Sequence, residues 1–245
     1  MRIDFLTIFP GLISGALDYG LLMQAREKGL LEMNVVNLRD FAKDRHRSVD
    51  DVAYGGGPGM VFKPEPVFAA IDSLRTAGCR VILPGPQGRR FDRQAAQDLA
   101  RAPHLIFICG RYEGVDERIR EALADEEYSI GDFVTMGGEL PALVMTEAVA
   151  RFVPGVVGDE QSVALDSFQE PLLNHPQYTR PAEFRGMKVP DVLLSGHHEQ
   201  VRQWRRRMML QRTLERRPDL LDGASLTDED RRLLEEIRHG MKKES

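Results

Sequence analysis

Leu105 to Pro141 reads LIFICGRYEGVDERIREALADEEYSIGDFVTMGGELP. The apolar run Leu105 to Cys109 has the length of a buried strand; it stops at Gly110 and the polar turn Arg111-Tyr112-Glu113-Gly114, beyond which the pattern is helical. A second short piece of apolar alternation, Tyr128 to Val134, ends in Gly137-Gly138, and another helix begins near Glu139-Leu140-Pro141. Two strand ends therefore offer main chain instead of side chains. Glycine there permits positive φ and lets a flat ligand reach N–H and C=O groups that a Cβ would shield. The plainer reading is that these glycines only turn the chain, as in any α/β protein. The binding reading predicts a cofactor pocket walled largely by loop backbone.

Outward from this stretch the alternation of strand and helix repeats. Arg2 to Phe9 predicts a strand, Pro10-Gly11 turns it into a helix from about Leu12 to Lys28 closed by Gly29, and Met33 to Leu38 predicts a second strand. Pro64 to Ala77 predicts a helix with Pro64 and Pro66 in its first turn. The strand Arg80 to Leu83, a turn at Pro84-Gly85-Pro86-Gln87-Gly88 and a helix from Asp92 to Ala100 follow. With Leu105 to Cys109 this is β-α-β-α-β, which implies an α/β fold with a parallel sheet covered by helices on both faces. Ligands in such open sheets sit at the C-terminal strand ends. The turns at Pro84 to Gly88, Gly110 to Gly114 and Asp132 to Gly138 are thus expected on one edge.

Two segments break the pattern. Arg39 to Gly59 has no periodicity; it carries Arg39, Lys43, Arg45, His46 and Arg47 and then a glycine-rich run, and so long a loop inside a domain is either mobile or functional. The functional reading is favoured, although the loop is not a Walker A motif, since Gly59 leads into Met60-Val61 where Lys and Ser/Thr belong. After the amphipathic helix Leu140 to Phe152, stopped by Pro154-Gly155, the composition changes. The expected division is an α/β domain over residues 1–158, a polar linker over 159–174 and a small helical domain over 175–245. In the last, Ser195 is expected to cap a helix running to about Arg217, and Thr227, with Asp230 three residues on, to cap another.

The chain is acidic, with a net charge of −5 over 245 residues, so any nucleic-acid site must be a local basic patch. The helix after Ser195 is that patch, with Arg202, Arg205, Arg206, Arg207, Arg212, Arg216 and Arg217. A charge run is usually a solvated face; here the sign bias on an acidic chain favours RNA phosphate. Trp204 either stacks on a base or, the preferred expectation, packs in the small domain's core. Cys79 and Cys109 form no framework and suit a reducing cytosol, and Asp4 within MRIDFLTIFP predicts no signal peptide. A cytoplasmic protein without membrane spans is expected, with no DNA partner. His198-Glu199 lacks the zinc-protease partner, since Arg202 stands where a second histidine would be, and no Gly-x-Ser-x-Gly occurs. No catalytic metal site is predicted.

GRYEGVDERI (110–119), YSIGDFV (128–134), GGELPA (137–142), RFVPGV (151–156) and DSF (166–168) resemble the motif series of the bacterial tRNA (guanine-N1)-methyltransferases, members of the knotted SPOUT methyltransferases. FPG (9–11), YGGGPGMV (54–61), GPQGR (85–89), HPQYTRP (175–181) and SGHHE (195–199) extend the resemblance over nearly the whole chain. It implies a deep trefoil knot holding S-adenosyl-L-methionine, and a cofactor pocket of Leu83, Pro86, Gly110, Tyr112, Glu113, Gly114, Ile130, Gly131, Asp132, Phe133, Val134, Thr135, Gly137, Gly138 and Leu140. A homodimer is implied too, in which the cofactor loops of one subunit meet Asp166 and Arg151 of the other. Expected tRNA contacts are Arg45, His46 and Asp50 in the loop, Ser167 beside the catalytic acid, and His197, Arg202 and Arg205. A magnesium ion is a further candidate that no residue pattern specifies. Two residues depart from the usual pattern: Met136 is expected to change side-chain contacts to the adenine while keeping the backbone ones, and Leu83 stands where some relatives have an aromatic, which weakens any stacking argument there.

Guanine N1 carries a proton, and losing it pushes charge onto O6. A methyl transfer there needs a proton acceptor at N1 and a cation or donor near O6. By resemblance Asp166 aligns with the family's general base and Arg151 with the arginine at the carbonyl oxygen. Residue type alone would make Asp166 a linker acid or helix cap. Two rivals differ in class: a catalytically silent tRNA-binding protein, opposed by the intact Asp166 and Arg151, and a SPOUT enzyme acting on ribosomal RNA ribose, for which the helical supplement is wrong.

Overall fold

Alternate side chains of the central strands leave opposite faces of one sheet, and both faces are apolar. A computed structural model describes residues 1–158 and 166–244. Its sheet contains β1 (Arg2–Thr7), β2 (Glu32–Asn37), β5 (Cys79–Arg90), β6 (His104–Ile108) and β7 (Glu126–Ser129), in the order β2-β1-β6-β5-β7 with every pairing parallel. Leu105, Phe107 and Cys109 enter one cluster with Ile3 and Phe5, while Ile106 and Ile108 enter the other with Leu6 and Ile8. Phe5 and Phe107, paired in register, stack with centroids 5.6 Å apart. A side chain of this kind contributes roughly 1.5–3 kcal/mol when fully buried, which is why near-continuous apolar strands settle at the centre.

Helices cover both faces. On the first lie α1 (Pro10–Leu17), α2 (Gly20–Glu27), α4 (Arg93–Leu99) and α6 (Glu139–Ala150); on the second, α3 (Pro64–Leu74) and α5 (Glu117–Leu123). The expected α/β architecture is present, with local differences. The helix read over 12–28 is two helices, because the backbone is extended at Tyr19 and turns left-handed at Gly20, φ +67°. The strand expected to stop at Leu83 resumes after its turn: pairing shifts from Pro84–Tyr128 to Arg89–Tyr128, so residues 85–88 bulge out of a strand that continues to Arg90. The piece read over 128–134 is a strand only to Ser129. The loop read over 39–59 contains a 3₁₀ turn, Leu38–Phe41, and β3 (Asp50–Asp51), which pairs with β4 (Val61–Phe62).

Internal contacts divide the chain into Met1–Gly158 and Asp159–Ser245. The second unit contains the hairpin β8 (Glu183–Phe184) and β9 (Met187–Lys188), then α7 (Asp191–Leu194), α8 (His198–Arg216) and α9 (Asp228–Glu244). Its apolar cluster is built on Leu172, Leu210, Leu234 and Ile237. Residues 159–165 of the expected linker lie outside the described residues, whereas Leu172, near its end, is core and Leu173 N–H donates to Thr213 Oγ1 at 2.9 Å. The Thr227–Asp230 capping box forms reciprocally, at 2.9 and 3.1 Å. Ser195 does not cap α8: its hydroxyl donates to Val192 O and accepts from His197 N–H, and His197 holds the N-cap position. Trp204 lies outside the apolar cluster, against the expectation of a core position.

Candidate active site

The three glycine turns meet. β6 runs out at Cys109-Gly110, and the next residues fold tightly, with Tyr112 at φ 59° and Gly114 at φ 108°. That turn is pinned from outside its own strand: Glu113 N–H donates to Met60 O and Phe62 N–H to Gly114 O, each at 3.0 Å. Gly59 faces Glu113 so closely that a Cβ there would lie 2.6 Å from the Glu113 side chain. The turn after β7 is tied to the same place, since Gly138 N–H donates to Gly110 O at 2.8 Å. A Cβ on Gly138 would stand 2.9 Å from Cys109 Cα. The bulge of β5 joins them: a Cβ on Gly88 would lie 2.4 Å from Glu127 and Tyr128 backbone, and one on Gly85 would lie 2.4 Å from Glu127 Oε1.

Between the turns is a cavity of about 260 Å³. Leu83 and Pro86 line it from β5, Gly110, Tyr112, Glu113 and Gly114 from the end of β6, and Ile130, Phe133, Val134, Thr135, Gly137 and Gly138 from the loop after β7. Gly131, Asp132 and Leu140 do not; Gly131, at φ 151°, shapes the turn beneath the Phe133 ring, and Leu140 is exposed beside the lining residue Pro141.

Charged groups that sequence reasoning passed over support this cavity. Glu139 is fully buried; its carboxylate accepts from Thr7 Oγ1 at 2.7 Å and from Arg111 Nε at 2.9 Å. Arg111 in turn lies over the Phe9 ring, 4.6 Å from its centroid. One buried carboxylate thus holds together the ends of β1 and β6 and the start of α6. Glu127, which lines the cavity, accepts from Arg120 with one oxygen, while Oε1 is buried with no hydrogen-bond partner among the described residues. Such an acceptor costs free energy until a donor arrives. Tyr128 donates to Glu126 at 2.6 Å; burial first, then that carboxylate, pushes its phenol up to about 12, so it acts as a neutral donor. Burial raises Glu126, but hydrogen bonds from Tyr128, Arg80 and Arg89 outweigh it and keep the carboxyl below its usual range. Burial and the Glu139 charge push the Cys109 thiol well up, which removes it as a nucleophile. The only sequence signal for Glu139 was an acid placed directly after a glycine pair.

The other expected residues are not among those that line the cavity. Arg151 is the C-cap of α6 and is exposed. Asp166 is exposed at the start of a turn in the second unit, where its carbonyl accepts from Gln169 N–H at 3.3 Å; the Ser167 hydroxyl is engaged by Asn174 N–H at 2.9 Å. Arg45 and His46 are exposed, and Asp50 lies in β3. His197 is exposed, Arg202 pairs with Glu199 at 2.7 Å, and Arg205 lines a separate cavity in the second unit. Among the described residues, no group of three or more His, Cys, Asp or Glu is placed to hold a metal ion.

A parallel sheet whose strand-end turns close a backbone-walled cavity defines a class: α/β proteins that grip a small ligand at the C-terminal strand edge. Within that class the chain matches, over residues 1–223, the model of the family described as tRNA (Guanine-1)-methyltransferase TrmD, and it belongs to that family. It is 53% identical over 244 residues to the tRNA (guanine-N(1)-)-methyltransferase of Dictyoglomus turgidum, covering 100% of this chain and 99% of the relative. The proteins of the same name from Moorella thermoacetica and Staphylococcus aureus are 55% and 52% identical, covering 97% and 99% of this chain and 96% and 100% of their own lengths.

Proposed function

We propose that this protein is a tRNA methyltransferase that moves a methyl group from S-adenosyl-L-methionine to N1 of the guanine immediately 3′ of the anticodon, position 37, and so maintains the reading frame. The observation that carries the reading is the convergence of three glycine turns on one cavity in a chain of this family. The donor molecule has a flat adenine, a positive sulfonium and an ammonium. The lining suits each: bare main chain at Gly110, Gly114, Gly137 and Gly138, apolar Leu83 and Ile130, and the carboxylates of Glu113 and Glu127, one oxygen of which lacks a donor. When bound, S-adenosylmethionine supplies an already activated methyl group.

The chain's own part is then to position and to manage a proton. In this reading Asp166 accepts the proton of guanine N1, and Arg151 offsets the charge that develops on O6. The knot expected of SPOUT enzymes belongs to the same proposal, as does a homodimer that brings Asp166 and Arg151 of one subunit to the cavity of the other. Exposed Leu12 on α1 and Leu140 and Val144 on α6 support an apolar interface. A cytoplasmic site of action follows from the substrate; no described helix is long and apolar enough to cross a membrane.

The test is methyl incorporation from labelled S-adenosylmethionine into tRNA transcripts with and without guanine at that position, with magnesium present or omitted. Incorporation only with the guanine is expected. Equal labelling of both transcripts, or of ribosomal RNA alone, would overturn the reading.

A further inference from the structure

The second unit has a cavity of its own, about 410 Å³, between residues 175–182, α7 and the first turns of α8. Aromatic rings gather at it: the Trp204 centroid is 6.3 Å from that of His175 and 6.4 Å from that of Tyr178. These rings are not spare core. The unit's apolar cluster is formed elsewhere, around Leu172 and Leu210, and Tyr178 is 49% exposed.

Arginine supplies the second part of the argument. Along α8 and its cap, Arg202, Arg206, Arg207 and Arg217 are each paired with a carboxylate: Glu199, Asp230, Glu236 and Asp219 respectively. Arg205, which lines the cavity, has no carboxylate partner among the described residues, and neither has Arg180, which lines it too. Among the described residues no acid lines the cavity. A bare phosphate has no use for three aromatic rings, and an apolar peptide has none for two uncompensated guanidinium groups. A planar π-system carrying an anion uses both.

We propose that this cavity holds one unstacked nucleotide of the tRNA, with its base against Tyr178 and Trp204 and its phosphate on Arg180 and Arg205. The proposal rests on the tRNA reading above and adds to it a specific grip, distant in kind from the methyl-transfer chemistry. Helix-surface arginines follow the backbone of any RNA; a ring-lined cavity demands a nucleotide that has left its stack.

Trp204 is the chain's only tryptophan, so its fluorescence reports on this cavity in the full-length protein. Titration with a substrate tRNA transcript is expected to quench it to saturation. Tyr178→Ala and Arg205→Glu are each expected to raise Kd and KM for tRNA about tenfold, the size of one base stack or one phosphate contact, and to leave KM for S-adenosylmethionine unchanged. Tyr178→Phe should restore tight binding, since it keeps the ring. AMP and GMP are the second arm, and millimolar concentrations should be needed for any quenching. If either quenched Trp204 as readily as tRNA does, the cavity would serve a free nucleotide and the proposal would fall. It would fall alone if the wild type methylated tRNA while Trp204 fluorescence and the KM values of both variants stayed unchanged. Absence of wild-type transfer to any tRNA would bring down the proposal and the reading beneath it together.

Discussion

Asp166 and Gly138 are opposite kinds of residue, the one proposed for proton transfer and the other fixed by sterics. Replacing Asp166 by Ala removes the proposed proton acceptor at an exposed position outside the lining of the proposed donor cavity. A loss of about 10²- to 10⁴-fold in single-turnover rate is expected, with calorimetric affinity for S-adenosylmethionine retained; a wild-type rate would remove the assignment. Gly138→Ala is expected to do the reverse. Its Cβ would meet the backbone of Cys109 and Gly110, just past β6, at 2.9–3.0 Å, and neither partner is a side chain that can swing away. The turn must open, which should lower the melting temperature and weaken the donor by about 1–3 kcal/mol of strain. The glycines of this site were legible in the sequence because their only plausible work is conformational. Glu139, Arg111 and Glu127 were not, since a charged residue is by default a surface residue and only tertiary placement reveals its partner.

At the level of elements, the parallel strands could be read directly because burial on both faces makes them unbroken apolar runs. The break between α1 and α2 could not: apolar Leu17, Leu22 and Ala25 carry the helical pattern straight across it, and an extended Tyr19 followed by a left-handed Gly20 interrupts it. The hairpin β8–β9 is too short to alternate; its signal was Arg185-Gly186, both at positive φ, as a tight two-residue turn requires. The packing of α8 on α9 supplies a pH test. Hydrogen bonds from Arg206, opposed by burial and joined by Thr227, hold the Asp230 carboxyl at about 2. An unfolded aspartate titrates near 3.9, so the folded pKa is depressed and the stabilisation is complete above about pH 4. It is lost as pH falls toward 2 and amounts to roughly 2 kcal/mol. Asp230→Asn should forfeit that stability at neutral pH and flatten the acid limb, as read by urea unfolding at pH 7 and pH 3.

For the whole molecule, the proposed dimer makes a sharp demand on mixtures. With S-adenosylmethionine held well below its wild-type Kd, Asp166→Ala and Gly138→Ala are each expected to transfer far more slowly than the wild type. If the acid acts on the neighbouring subunit's cavity, co-refolding the two variants should restore transfer, because one mixed site then has both an intact acid and an intact turn. Mixtures that stay as slow as their components would show that each chain works by itself.

The Thr7–Glu139–Arg111 link bears on how the two substrates respond to ionic strength. Glu139 is fully buried and Arg111 is 16% exposed, so dissolved ions screen this pair little, and the proposed donor cavity should keep its shape in concentrated salt. Binding of a polyanion by surface arginines releases counterions and weakens steeply as salt is added. Potassium chloride should therefore elute tRNA from the enzyme while leaving the nucleoside donor in place, which would allow the half-loaded state to be isolated.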